Sequence, residues 1–257
     1  MTKTKIIALA NQKGGVGKTT TAINLSAAIA AEGLHVLLVD LDPQGNTTTG
    51  LGVKKKDVKV SVYEVITGKR RISDAIIATE FENLDVIAST SSLAGAELEI
   101  AALQDRVNRL KMQLLTIRDN YDCIFIDCPP SLSLLTVNAM TAANEVLIPV
   151  QCEYFSLEGI SQLSESIKRV KKSSNPSITI EGIIFNMVDK RLNLTTQVID
   201  EVKTHFPSQI YETVIPRNVK LSEAPSFGKP VIYYSKYSIG AKAYKNLASE
   251  WISRHNL

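Results

Sequence analysis

The sequence predicts a doubly wound α/β fold, a mostly parallel sheet flanked by helices, in one domain spanning 1–257. Three observations predict it. Continuously apolar runs alternate with helix-like segments along the whole chain, as parallel strands covered on both faces require. A glycine-rich stretch with a lysine at each end, Lys13 to Lys18, joins the first apolar run to the first helical one. Acidic residues close two later runs, at the strand ends where this class of fold collects its ligands.

The first strand covers 5–10, with the run Ile6-Ile7-Ala8-Leu9-Ala10. Gly14, Gly15 and Gly17 follow it. Without a Cβ, their backbone amides can turn inward on oxyanions at the start of a helix over 18–32. In such a loop Lys18 reaches the β- and γ-phosphates and the Thr19 hydroxyl coordinates Mg²⁺, with Val16 and Thr20 completing the cradle. The strand 35–40 ends in Asp40-Leu41-Asp42. Alternation places both carboxylates on one side, a repulsive pair unless a cation such as Mg²⁺ intervenes. Lys54-Lys55-Lys56 reads as a solvated loop. A strand at 84–88 leads into a helical segment, 93–118. The strand 122–127 terminates in Asp127, placed to contact Mg²⁺, and Pro129-Pro130 stops it.

Helix 132–143, strand 145–150, the loop Gln151–Gly159 and helix 157–172 come next. Strand 178–185 runs into Asn186, whose amide offers a base both donor and acceptor and is equally suited to a turn. Helix 193–205, strand 210–215 with the loop Pro216-Arg217-Asn218, and helix 238–254 complete the pattern.

Composition agrees with this reading. The 257 residues are 44% hydrophobic and 21% charged, enough for a sizeable core. No apolar run approaches the ~18–20 residues that span a bilayer, and Met1 to Lys5 leads into the first strand without a signal-peptide pattern. Cys123, Cys128 and Cys152 lack CxxC spacing and lie in apolar runs, as reduced thiols of a cytoplasmic protein do. Residues 151–257 carry 14 Lys/Arg against 10 Asp/Glu, whereas 1–150 carry 15 against 16. The C-terminal half is therefore the side expected to meet an anionic partner, unless the bias is ordinary surface charge.

Lys13-Gly14-Gly15-Val16-Gly17-Lys18-Thr19 resembles the deviant Walker A motif, KGGxGK[ST], of the ParA/MinD class of P-loop ATPases. Asp40 to Asn46 is similar to that class's DxDPQxN signature, and Asp127-Cys128-Pro129-Pro130 to its DxPP switch segment. Met187 to Leu194 and Pro216 to Val231 resemble the ParA motifs MxDxRxNL and PRNxxxSEAPSxGxPV. The likeness covers essentially the whole chain and is nearest to the small, chromosomal Soj-like type. It implies an ATP- and Mg²⁺-dependent homodimer with two nucleotides sandwiched between subunits, in which Lys13 reaches the partner's nucleotide. It further implies that Asp42 positions the attacking water, that Asp40 supports the Mg²⁺ shell, and that Asn186, Pro216 and Arg217 pack around the base. Arg191 and Arg217 are implied in nonspecific binding of double-stranded DNA, though each residue taken alone also reads as a surface ion pair. Lys168, Arg169, Lys171, Lys172 and Lys220 are candidates to widen that patch and also read as plain solvated surface. Hydrolysis would be triggered by a ParB-like centromere-binding partner, on nucleoid DNA in the cytoplasm.

Two other readings exist. A MinD-like membrane switch needs a terminal amphipathic helix, and Tyr244, Leu247, Ala248, Trp251 and Ile252 do form a stripe, though one that more simply packs on the sheet. An electron-transfer iron protein needs a second cluster cysteine near Gly95-Ala96-Glu97, where none stands.

Overall fold

The structure, a computed structural model, describes residues 4–153, 156–189 and 191–257. Seven strands form one sheet: β1 (Lys5–Leu9), β2 (Val36–Asp40), β3 (Ile76–Ala78), β4 (Leu84–Ile87), β5 (Cys123–Asp127), β6 (Glu145–Gln151) and β7 (Thr179–Asn186). Their order is β3-β4-β2-β5-β1-β6-β7, parallel throughout except for the antiparallel pair β3–β4. Eleven α-helices accompany them among the described residues. They are α1 (Lys18–Ala30), α2 (Asn46–Gly50), α3 (Val62–Ile66), α4 (Leu93–Ala101), α5 (Arg109–Leu114), α6 (Leu134–Ala142), α7 (Ser156–Ser173), α8 (Asn193–His205), α9 (Val219–Glu223), α10 (Val231–Tyr234) and α11 (Ile239–His255).

The apolar runs are continuous because each central strand is covered on both faces. Period-two alternation divides their side chains between two cores. Ile6, Ala8, Ile124 and Ile126 enter one core with α3 to α8. Ile7, Leu9, Cys123 and Phe125 enter the other with α1 and α11. The proposed C-terminal stripe belongs to this second core: Tyr244, Leu247, Ala248 and Trp251 are fully buried, and Trp251 lies 5.5 Å from the Phe125 ring.

The strand register positions the site. Asp127 stands opposite Leu9 on one side and Asp40 on the other, so two acidic strand ends lie side by side, next to the exit of β1.

Two expectations need correction. The segment 93–118 is not one helix. Asn138 of α6 accepts from the Leu110 amide (3.3 Å) and donates to the Arg106 carbonyl (2.8 Å), serving backbone groups that a continuous helix would pair internally. The segment 210–215 is not a strand. Its ends bond to β7 through Ile183 and Phe185, but the Glu212 and Thr213 amides turn to the Glu250 carboxylate at 2.8 and 2.9 Å, which draws the middle off the ladder. In the loop read as solvated, Lys54 and Lys56 are exposed, and Lys55 donates from its ammonium to the Gln44 carbonyl. β3 and the short helices α2, α3, α9 and α10 carried no periodicity long enough to read.

Candidate nucleotide and metal site

The loop between β1 and α1 is anchored at its base by Asn11, whose amide donates to the Pro149 carbonyl (2.8 Å) and accepts from the Lys13 amide (3.0 Å). Gly15 and Gly17 take left-handed backbone angles, φ 77° and 88°, and Gly17 is the N-cap of α1. No side chain caps this helix, so its first amides and its positive dipole end are left to an external anion. Lys18, the first helical residue, is only 6% exposed, and its ammonium donates to the Lys13 carbonyl (3.1 Å). Burial lowers its pKa, opposed by the negative charges of Asp127 and Asp42.

Gly14, Gly15, Gly17, Lys18, Thr19 and Thr20 line a cleft of about 350 Å³, closed on its far side by Asp42, Gln44, Asn46, Pro130 and Met187. Within this site Asp127 is completely buried. One carboxylate oxygen accepts from both Thr19 (2.8 Å) and Thr47 (2.7 Å), and the other has no protein partner. Burial pushes Asp127 up to about 6, with the Asp42 charge adding to the rise and Thr47, Thr19 and Lys18 opposing it. An orphaned carboxylate oxygen that is costly to leave bare, next to a hydroxyl of the phosphate loop, is the donor set that suits Mg²⁺. Asp42 is 8% exposed at the cleft edge, and one of its oxygens accepts from the Gln44 amide (2.9 Å).

Asp40 lies deeper than Asp42. It is fully buried behind the cleft. One oxygen accepts from the amide and hydroxyl of Thr48 (2.8 and 2.7 Å), and the other from the Asp42 amide at 3.2 Å. Burial, reinforced by the Asp127 charge, raises it to about 7. Through these bonds it shapes the loop that carries Asp42, and as the strand neighbour of Asp127 it lies behind the proposed Mg²⁺ position.

A second cleft of about 170 Å³ adjoins the first, sharing Gly17, Thr20 and Met187 with it and adding Asn186, Pro216, Arg217 and Tyr244. The Asn186 amide donates to the Val16 carbonyl (2.9 Å) and to Thr21 (3.0 Å), while its buried oxygen has no partner. Half of its predicted capacity toward a base is thus spent on the phosphate loop, and the acceptor half remains.

Lys13 and Val16 face elsewhere. They line a separate groove with Asn11, Val150, Gln151 and Ser156, and the Lys13 ammonium pairs with Glu153. Tyr154 and Phe155 of that loop, and Lys190 of the MxDxRxNL segment, lie outside the described residues. Arg191 is 88% exposed, and its Nε and Nη2 donate to the two oxygens of Asp189 at 2.9 and 2.6 Å. Lys220 pairs with Glu223 (2.8 Å). Lys168 stands on a groove between α7 and α8, and Lys171 and Lys172 are exposed in the last turn of α7.

Thr47, Thr48 and Glu153 escaped the sequence reading. The signal for the threonines was present. A buried strand-end carboxylate needs hydroxyl or amide donors, and the run Thr47-Thr48-Thr49 follows Asp42 within a few residues. The Glu153 pairing joins positions 140 apart and had no local signal.

Comparison with known proteins agrees with this geometry. The AAA domain family matches residues 4–180. The sporulation initiation inhibitor protein Soj of Bacillus subtilis is 56% identical over 246 residues, 96% of this chain and 97% of that protein. The chromosome partitioning protein ParA of Caulobacter vibrioides is 51% identical over 252 residues, 97% of this chain and 94% of that one. Cobyrinic acid a,c-diamide synthase of Mycobacterium smegmatis, with bound ATP analog and magnesium, shares the fold at TM-score 0.86 and 35% identity, over 96% and 93% of the two chains. With the phosphate loop, both strand-end aspartates and near-complete coverage in place, the chain belongs to the ParA/Soj family of partitioning ATPases.

Proposed function

We propose that the chain is a Mg²⁺-ATP-driven DNA-partitioning switch. ATP closes two copies into a sandwich dimer, the dimer binds DNA without regard to sequence, and partner-stimulated hydrolysis releases it. The observation that carries this reading is the separation of two lysines from one loop. Lys18 serves the phosphate cleft of its own chain, whereas Lys13 lies off that cleft in a neighbouring groove, held by Glu153. A cation so placed does not serve its own chain's phosphates and is available to those of a second copy.

The chain's residues divide the work. The amides at the start of α1 and the Lys18 ammonium bind and orient the phosphate tail. Thr19 and Asp127 would hold Mg²⁺, which would supply positive charge to offset that of the phosphate tail. Asp42, on the cleft edge, orients a water toward the terminal phosphate. Asn186 offers its unpartnered oxygen, and Pro216 and Arg217 offer their surfaces, to the base in the adjoining cleft.

Nucleotide titration and sedimentation of two variants test this. Lys18→Ala should lose ATP binding by about 100-fold, the loss of a charged contact worth roughly 3 kcal/mol. Lys13→Ala should bind ATP as a monomer nearly as the wild type does and fail to dimerise. An ATP-dependent Lys13→Ala dimer of normal stability would contradict the reading.

A further inference from the structure

The DNA-facing role proposed for Arg191 meets an obstacle in the chain itself, because the guanidinium is already engaged. Asp189 grips it side-on with both carboxylate oxygens, at 2.9 and 2.6 Å. A third bond runs from the Arg191 amide to the same carboxylate (3.1 Å). This is the planar two-bond geometry in which arginine also takes a phosphate. The acid is 27% exposed while the arginine is 88% exposed, so the carboxylate sits beneath a cation that projects into solvent. The segments that carry Asp189 and Arg217 are laced together by backbone bonds, Val188 amide to Ile215 carbonyl (3.0 Å) and Arg217 amide to Val188 carbonyl (3.4 Å). The carboxylate that grips Arg191 thus stands on the segment that is tied to the second arginine assigned to DNA.

We propose that Asp189 is a built-in brake on DNA binding: it neutralises Arg191, and a backbone phosphate must compete with it for the same guanidinium. The inference rests on the DNA-binding reading above. An arginine already paired with a carboxylate has shed its own counterion and releases fewer from the DNA, so it adds less to affinity and to the salt dependence than a bare one. An exposed ion pair is worth little by itself, which makes it displaceable. The brake therefore keeps the dimer's hold on DNA loose enough to be broken and re-formed, without abolishing it.

The test is a thermodynamic cycle read by fluorescence anisotropy on a random-sequence duplex across a salt series, with a slowly hydrolysed ATP analogue. It compares wild type, Asp189→Asn, Asp189→Glu, Arg191→Ala and the Asp189→Asn/Arg191→Ala double variant. Asp189→Asn should bind roughly tenfold tighter at about 50 mM salt and steepen the log K against log salt slope by about 1.8, roughly 0.9 for each copy in the dimer. Asp189→Glu, which keeps the charge, should stay near wild type. In the Arg191→Ala background Asp189→Asn should change affinity by less than about twofold, because the cation it acts through is gone.

Unchanged or weaker binding by Asp189→Asn would overturn the brake. So would an equal gain in the Arg191→Ala background, which would make the carboxylate a general repulsion. Both of those failures leave wild-type DNA binding intact. If wild type and Asp189→Asn alike ignore DNA while forming the ATP-dependent dimer, the DNA reading falls and takes the brake with it.

Discussion

Gly17 concentrates the constraints of the phosphate loop in one residue. Its φ of 88° is strained for any L side chain, and a Cβ built on it would come within 2.7 Å of the Asn186 amide nitrogen. That amide cannot easily yield, because it is bonded to Val16 and Thr21. Gly17→Ala should therefore cost roughly 1–3 kcal/mol of stability and weaken nucleotide binding at both clefts, measured by thermal melts and titration. A variant with wild-type melting and affinity would show that the loop relaxes freely. Asp42 differs in kind: it stands at the cleft edge and makes one local bond, from the Gln44 amide, while Asp40 and Thr48 hold the loop from behind. Asp42→Ala should retain ATP-dependent dimerisation and lose about 100-fold in hydrolysis rate, the usual scale of a misplaced reacting water. Normal turnover would move the role elsewhere.

At this scale the sequence was legible wherever a residue's role follows from its neighbours in the chain. Gly17, Lys18, Thr19 and Asp127 fall into that group. For Asp40, strand alternation gives the side a carboxylate faces, not whether a hydroxyl already occupies it. Thr48 occupies it at 2.7 Å.

Among the elements, the C-terminal helix shows how a packed stripe and a buried polar cluster coexist. Trp251 fills the core while α11 also carries Arg254, stacked on the Tyr211 ring at 3.9 Å, and His255, whose ring meets Glu145 at 3.2 Å. The Tyr211 hydroxyl donates to Glu181, whose second oxygen is buried without a partner. Burial raises Glu181 from 4.5 to about 7. The sign follows directly. The folded state holds the proton that the unfolded state has released, so this group's contribution is full below about 4.5 and is lost as pH rises toward about 7. Glu181→Gln should flatten the decline of stability across that window and raise the melting temperature near pH 7. Denaturant titrations at several pH values read it; an unaltered pH slope would show that Glu181 titrates normally.

Element reading from sequence succeeded for long, regular pieces. Helix 193–205 matches its prediction to the residue, and the six longest strands lie within a residue or so of theirs. It failed where a distant side chain redirects the backbone, as Glu250 does at 212–213 and Asn138 does between α4 and α5. Such competition is tertiary, and no local periodicity encodes it.

On the scale of the molecule, Gly14 separates the chain's own needs from those of an assembly. Its backbone is not left-handed, and a Cβ there would meet nothing within 4 Å. A larger side chain should therefore be tolerated by the subunit alone. Gly14→Val should melt like wild type and bind ATP, yet run as a monomer in gel filtration with a slowly hydrolysed analogue, because its methyls project toward the second copy. Dimerisation by this variant would mean that the nucleotides are not sandwiched across this loop.

The charge bias of the C-terminal half also acquires a shape at this scale. Of the cations assigned to DNA, Arg191 and Lys220 are each paired with an acid within a few residues. A single copy thus presents a weak, half-neutralised surface. In the proposed dimer, two copies held in fixed relation would double that surface, and the effective concentration of the second patch would lift binding far above that of the monomer. The central claim is therefore that nucleotide state, through dimerisation, gates DNA binding. Co-sedimentation of the wild-type protein with nonspecific duplex DNA, in ATP analogue and in ADP, tests it most directly. Retention of a dimer with the ATP analogue, reversed by high salt, and release as a monomer in ADP is the predicted result. Equal retention in both nucleotides, or an ATP-bound dimer that ignores DNA, would contradict it.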